Sequence, residues 1–417
     1  MATPPELMNL LTFTTLYPNA KQPSHGIFVE TRLAHLVASG RARSRVVAPV
    51  PYVPDFGIVP KAYRHLRSVP DVEERRGIEV HHPRYFLIPK ASMLWAPLSL
   101  YLVARSRVSR LLREGGEFDL IDAHYFYPDG IAAILLGRHF GKPVVITARG
   151  TDINLIPQYR LPRAMIRWAA ARSDGMITVC AALKDALVDL GAPAEKIRVL
   201  RNGVDLVLFR PADREACRAK LGLTATTLLS VGHLIPRKGH DLIIRALQGL
   251  PGMHLVIVGS GPQEAELKGL AASLGVAERV RFLGALPQSR LSELYSAADL
   301  LVLASSREGW ANVLLEAMAC GTPVVASNVW GTPEVVAAPE VGELLAERTP
   351  QAIAHSVRWI IERKPDRRAI RTYAERFSWD ATTAGQLELF QDILRKHRTC
   401  AGAATAIGTR LETARNE

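Results

Sequence analysis

Two stretches of this 417-residue chain set charged side chains beside turns of the kind that phosphate and sugar chemistry use. In the first, Glu308 lies in a polar loop with Gly309, and Glu316 lies about one turn into a helix expected to begin near Asn312. Val313, Leu314, Ala317 and Met318 give that helix an apolar face, and Gly321 and Pro323 stop it. A carboxylate accepts hydrogen bonds from two vicinal hydroxyls, so one glutamate could hold a sugar and the other a ribose. The helix N-terminus carries unpaired N–H groups and partial positive charge, a seat for phosphate. Taken singly, Glu308 could only cap the helix and Glu316 could only pair with a surface cation. The whole string argues for the ligand.

In the second stretch, Arg237 and Lys238 stand side by side, with Gly239 next, between a strand and a helix. Arginine offers a bidentate fork and lysine a compact charge, so together they can neutralise a diphosphate. A diphosphate leaving group gains charge as its bond to carbon breaks, and cations placed there act mainly in the transition state. A solvated basic turn is the simpler alternative for the pair alone. Near the start of the chain, Gly26 heads a helix after a long turn-rich loop and would let backbone N–H groups approach a phosphate. Val258-Gly259-Ser260-Gly261-Pro262-Gln263-Glu264 fails as a dinucleotide fingerprint, because Glu264 stands where the third glycine belongs.

The elements that must position these residues follow an alternation of apolar β-rich runs and amphipathic helices, the pattern of parallel sheets with crossover helices. The first half offers strands at 8–14, 44–50, 120–123, 144–147, 175–179 and 197–200, with helices at 29–39, 130–140 and 181–190. Arg201-Asn202-Gly203-Val204-Asp205 breaks the rhythm with a turn signal. The pattern then restarts, with strands at 227–231, 254–258, 280–283, 300–303 and 323–326, and helices at 241–248, 263–274, 289–297 and 312–320. The expected fold class is therefore α/β, two doubly wound Rossmann-like domains facing across a cleft. A first domain spans 1–203, completed by a helix at 379–397, and a second spans 204–378. Residues 398–417 read as a disordered tail, being Ala-, Gly- and Thr-rich without apolar periodicity. Two such units place a ligand at the carboxyl ends of their strands.

Composition sets the wider bounds. The hydrophobic share of 48% and charged share of 22% suit a globular protein. Cys180, Cys217, Cys320 and Cys400 show neither metal-ligand nor disulfide spacing, as in a reducing compartment. The apolar stretch from Met1 to Leu16 has no basic residue ahead of it, so no secretory signal is expected, and no apolar run reaches bilayer length. The expected location is cytoplasmic, with a place at the inner face of the plasma membrane as a further expectation. The net charge of +12 is uneven: residues 1–200 hold 26 Lys+Arg against 17 Asp+Glu. A basic half suits membrane headgroups, nucleic acid or a phosphorylated acceptor, or simply a solubilising surface. Residues 92–112 join Leu94, Trp95, Leu98, Leu100, Leu102 and Val103 to Arg105, Arg107 and Arg110, with Arg113 just beyond. This stretch reads as a packed core helix with a basic end or as a membrane-lying one.

Glu308-Gly309-Trp310-Ala311-Asn312 through Glu316-Ala317-Met318-Ala319-Cys320-Gly321 resembles the E-x7-E signature of the retaining glycosyltransferases of family 4, which have the GT-B fold. Trp310-Ala311 stands where the family often has Phe-Pro. Arg237-Lys238-Gly239 is similar to the family's Arg-x4-Lys-Gly element, with His233 where the arginine commonly falls, and His25-Gly26 takes the place of a Gly-Gly pair. The wording from Tyr17-Pro18-Asn19 to Gly26-Ile27-Phe28-Val29-Glu30 looks most like a bacterial polysaccharide branch that includes teichuronic-acid glycosyltransferases. The resemblance covers residues 8–395.

It implies that Glu308 contacts donor-sugar hydroxyls, with Gly309, Trp310, Ala311 and Asn312 beside it, and that Glu316 binds the ribose hydroxyls. Leu286 and its loop would contact the base. His124, at the end of a strand, would face the reacting sugar. Arg149, in place of the family's histidine in a His-Gly-x-Asp loop, or Asp152, would lie near the acceptor. The activity implied is transfer from a UDP-, GDP- or ADP-sugar to a saccharide or lipid-linked acceptor, with retention and front-face attack, in cell-surface polysaccharide assembly. Peripheral membrane contact is compatible with it. Neither metal nor other cofactor is implied, nor a nucleic-acid partner, and the donor half has no Asp-x-Asp pair beside a strand end. A sugar-nucleotide 2-epimerase, a non-catalytic donor-binding protein and a nicotinamide-dependent oxidoreductase are the competing readings.

Overall fold

Strands buried on both faces of a parallel sheet need near-continuous apolar sequence, and Leu228–Val231, Leu255–Val258 and Leu300–Leu303 supply it, every residue of them buried. The structure is a computed structural model that describes the backbone of residues 7–53, 61–86 and 92–416. The chain divides into two units, Met1–Leu200 with Asp380–Glu417, and Arg201–Trp379.

The first unit contains Met8–Phe13 (β1), Ala42–Val47 (β2), Val50–Pro51 (β3), Val72–Arg75 (β4), Ile78–His81 (β5), Arg84–Tyr85 (β6), Leu120–His124 (β7), Val144–Ala148 (β8), Gly175–Thr178 (β9) and Ile197–Val199 (β10). Its main sheet has the order β10-β9-β8-β7-β1-β2-β5-β4, and β3 pairs with β6 separately. All neighbours in the main sheet are parallel except β4 and β5. That edge pair is absent from the strand pattern expected from the sequence. Its four-residue arms are joined through Arg76 and Gly77, both at positive φ (50° and 74°), a hairpin turn that Gly77 makes possible.

The second unit contains Thr227–Val231 (β11), His254–Val258 (β12), Val280–Phe282 (β13), Leu300–Leu303 (β14), Val324–Ser327 (β15) and Gly342–Leu345 (β16), in the order β13-β12-β11-β14-β15-β16. Every pair in it is parallel. Among its parallel strands each sheet reverses its order once, at β1/β7 in the first unit and at β11/β14 in the second. Such reversals open the crevice where doubly wound sheets bind ligands.

The helices that cover the sheets supply the core. Leu387, Phe390 and Ile393 of the last helix are buried with Leu10, Leu33 and Val46 of the first unit. Each such side chain contributes roughly 1.5–3 kcal/mol by leaving water. Gly175 admits this helix closely: a Cβ there would lie 2.7 Å from Ile393 Cδ1. The helix runs from Trp379 to Asn416, past His397, where the sequence reading ends it in a disordered tail. The alanines at 401, 403, 404 and 406 give that stretch helix propensity without needing an apolar stripe. Among the described residues no helix is long and apolar enough to cross a membrane.

Candidate functional site

In the second unit the loops leaving β11 and β14 meet because their strands are neighbours. Gly239 (φ 69°) lets the first loop press against the second: a Cβ there would sit 2.2 Å from the Ala304 carbonyl oxygen. The Ser306 N–H donates to the Arg237 carbonyl at 2.8 Å, which ties the two loops. With the backbone so fixed, Lys238 Nζ donates to Glu308 Oε1 at 2.6 Å. Arg237 Nη1 donates to the Arg307 carbonyl at 2.9 Å and lies 3.7 Å from Glu308 Oε2. Two cations therefore flank one nearly buried carboxylate, leaving local positive charge for an anion.

Beyond Glu308, Trp310 and Ala311 are buried. The Trp310 ring packs 6.1 Å from that of Phe377, and its buried indole N–H has no hydrogen-bond partner among the described residues. Asn312 opens the helix Asn312–Ala319, and its side-chain oxygen accepts from Asn202 Nδ2 at 3.3 Å. Glu316 is buried in that helix. Burial pushes its carboxyl up to about 7, opposed by hydrogen bonds from Tyr295 and Gln288. A surface ion pair, the simpler alternative for Glu316, is not what the geometry holds: its partners are the Tyr295 hydroxyl and the Gln288 amide. Leu286 lies half-buried in the loop after β13. That loop is held to the end of β12 by the Gly259 N–H, which donates to the Gly284 carbonyl at 2.8 Å.

In the first unit the ends of β1, β7 and β8 bring together a set of buried polar groups. His124 is only 1% exposed. Its Nδ1 accepts from Arg149 Nη2 at 2.6 Å, and its Nε2 lies 3.3 Å from Asp122 Oδ2. Burial, against the pull of Asp122, lowers its pKa to about 4, so the ring is neutral at physiological pH. The ring is enclosed, with Arg149 on one nitrogen and Asp122 beside the other. Arg149 lies with its guanidinium 5.4 Å from the Phe28 ring centroid, and burial lowers its pKa.

Asp152 is likewise enclosed. Its oxygens accept from the backbone N–H groups of Phe126 (2.8 Å), Arg149 (3.0 Å) and Gly150 (2.8 Å), so it shapes the loop rather than presenting a free carboxylate. Burial raises its pKa, and those three hydrogen bonds oppose the rise. Gly26 heads the Ile27–Ala38 helix at φ 67°, where a Cβ would lie 2.3 Å from the Leu16 carbonyl oxygen. Only glycine fits that loop.

Sequence reasoning missed Asp129, Tyr125, Tyr295 and Gln288. Asp129 is fully buried and accepts from both the N–H and the hydroxyl of Thr15, which anchors the loop after β1. Tyr125, at φ 85°, turns the chain out of β7 in a conformation that side chains rarely adopt. A buried tyrosine in a helix gives no local signal of the carboxylate it will meet. The helix Ser92–Arg113 does two things at once: Leu100, Ala104 and Val108 are buried, whereas Leu94, Trp95, Leu98 and Leu102 are 40–53% exposed.

Comparison with known proteins gives these sites a context. Residues 38–208 match the family described as Glycosyltransferase Family 4, and residues 213–377 the family described as Glycosyl transferases group 1. A D-inositol 3-phosphate glycosyltransferase of Acidothermus cellulolyticus is 36% identical over 319 residues, 70% of each chain. Another, from Mycobacteroides abscessus, is 33% identical over 305 residues, 69% of each chain. These relatives are inositol-phosphate glycosyltransferases, which does not bear out the teichuronic-acid branch expected from the N-terminal wording. Sucrose-phosphate synthase from Thermosynechococcus elongatus superposes with a TM-score of 0.78 at 21% identity, covering 93% of this chain and 100% of that one. Anabaena HepE in complex with UDP does so at 0.70 and 21% identity, with the same coverage. At such identity these two likenesses speak for the fold alone.

Proposed function

The chain belongs to the group 1 and family 4 glycosyltransferases, and from that premise we propose that it moves a hexosyl group from a nucleotide-diphosphate sugar to a saccharide or lipid-linked saccharide acceptor, with retention of anomeric configuration, in cell-surface polysaccharide assembly. The observation that carries this reading is the meeting of Lys238 and Arg237 with Glu308 where the sheet of the second unit reverses.

In this reading the second unit binds the donor. A diphosphate takes over Lys238 and Arg237, and the helix start at Asn312 adds its partial charge. Glu308, released from Lys238, then accepts hydroxyls of the sugar, with Gly309, Trp310 and Ala311 forming the wall beside it. Glu316 accepts the ribose hydroxyls, and the loop at Leu286 meets the base. The acceptor oxygen bonds to the anomeric carbon on the face from which the phosphate leaves. The C–O bond to the diphosphate breaks, and the acceptor proton passes to the departing phosphate oxygen. The two cations stabilise the charge that develops there.

The first unit binds the acceptor, with Gly26 at the head of the Ile27–Ala38 helix, Arg149 just past β8, and His124 and Asp152 holding Arg149 and its loop in place. The names of the curated relatives favour a phosphorylated polyol as a second acceptor class. The reading is tested by thermal shift against UDP-, GDP- and ADP-sugars, since a true donor stabilises by RT ln(1 + [L]/Kd). Transfer of the stabilising sugar to lipid-linked saccharide, to inositol phosphate or to neither, with the anomeric configuration read by NMR, separates the acceptors. A free epimer formed without acceptor would point to the epimerase instead.

The exposed leucines of the Ser92–Arg113 helix, followed by Arg105 and Arg110, favour contact of the first unit with an anionic bilayer. Vesicles containing phosphatidylglycerol are expected to co-sediment the protein, and Leu98→Glu with Leu102→Glu to reduce that severalfold. Equal recovery on purely zwitterionic vesicles would remove the electrostatic part of this contact.

A further inference from the structure

Glu316 owes its position to a neighbouring helix, Gln288–Ala297. The Tyr295 hydroxyl donates to Glu316 Oε2 at 2.8 Å, and Gln288 Nε2 reaches Oε1 at a longer 3.4 Å. Tyr295 is itself fully enclosed. Its ring stands edge-on to Phe209 at 5.9 Å, and its carbonyl accepts from the Thr322 hydroxyl. Arg367 continues this brace, since its Nη2 donates to Thr322 Oγ1 at 2.6 Å and its Nη1 to the Ala298 carbonyl at 3.1 Å. The hydroxyl therefore has one direction available, and the carboxylate lies along it.

We propose that Tyr295 is a positioning residue of the donor site, fixing the Glu316 carboxylate so that its remaining lone pairs face the two vicinal hydroxyls of the donor's ribose. The proposal rests on the reading of Glu316 given above. A carboxylate offers about four acceptor positions, two on each oxygen. Tyr295 and Gln288 occupy one on each oxygen and leave one on each, the number a vicinal diol needs.

Charge state follows from the same geometry. Among the described residues no lysine or arginine pairs with Glu316, so hydrogen bonds carry the task of keeping it ionised. The titratable groups around it are Tyr295, pushed well above its ordinary range by burial, and Cys320, whose thiol burial pushes up to about 11. Both are neutral at physiological pH. Arg371, on the helix Arg367–Glu375, is turned away to the Ala319 and Phe209 carbonyls. With Glu316 raised to about 7, its ionised form, the better acceptor, gains population as pH rises through that value. Nucleotide affinity is expected to rise with it. Removing the Tyr295 hydroxyl moves the carboxyl still higher and shifts that rise to higher pH.

The test uses the full chain and whichever of UDP, GDP and ADP it binds, with Kd measured by calorimetry from about pH 6 to about pH 9. Tyr295→Phe keeps the ring and the packing. It is expected to weaken binding roughly tenfold near pH 7, with the deficit closing toward the alkaline end and the melting temperature little changed. Gln288→Ala is expected to give a smaller loss of the same pH shape. Affinity unchanged by Tyr295→Phe, or a deficit that is flat across pH, would overturn the assignment. Glu316→Gln separates the two levels. If it binds the nucleotide as tightly as wild type, or if no nucleotide binds at all, the donor-site reading has failed and this proposal with it. If Glu316→Gln loses binding while Tyr295→Phe does not, only the role of Tyr295 is lost.

Discussion

Lys238→Ala is expected to lower kcat with the cognate donor by roughly 10²–10³-fold, the loss seen when one preorganised charge-stabilising group is removed from a transition state. Lys238 is 14% exposed and its Nζ is already fixed at 2.6 Å from Glu308. It is therefore oriented before donor arrives and loses little entropy in acting. Its removal has a second consequence. Among the described residues Glu308 then keeps Arg237 alone, at 3.7 Å, and a nearly buried carboxylate with a single distant cation becomes a poor host for the negative diphosphate. Because leaving-group charge grows as the bond breaks, the loss should fall mainly on kcat, with a smaller rise in KM. Steady-state kinetics with the donor found by thermal shift measures the split. A variant retaining near-normal kcat would remove Lys238 from the chemistry.

The second large effect is structural in origin and functional in outcome. Gly239→Ala must place a methyl group 2.2 Å from the Ala304 carbonyl oxygen while holding φ at 69°, so the loop carrying Lys238 has to move away from β14. The left-handed conformation alone costs about 1–2 kcal/mol for a residue with a Cβ, and displacing backbone adds to it. A fall of roughly 4 °C or more in melting temperature is expected, together with loss of turnover because Lys238 is the next residue. Gly252→Ala supplies the control: its φ is 74°, but nothing lies within 4 Å of the new Cβ. It should cost only the backbone term and leave activity intact. Equal effects from the two substitutions would show that close approach to Ala304 does not position the loop.

Much of the second unit was legible because its strands are short apolar runs and its helices amphipathic, and both periods are local properties of the chain. The first unit was less so. The β4–β5 hairpin at its edge is charged and only half-buried, so Glu73, Glu74 and Glu79 hide its alternation. The last helix passes its expected end because alanine supports a helix without displaying a face. His124 was found as a residue at a strand end, but what it faces depends on Arg149, 25 residues away, and on the burial of both.

By itself the sequence determined that two doubly wound sheets would form and that cations and carboxylates would sit in loops after their strands, since periodicity and turn residues act over a few positions. Tertiary structure alone decided which of those groups meet. Lys238 reaches Glu308 across 70 residues because β14 lies beside β11, and strand order depends on how the whole sheet closes its core. It also decided protonation: burial, a property of the assembled fold, raises Glu316 and lowers His124. And it supplied Tyr295, whose hydroxyl finds a carboxylate only when two helices pack.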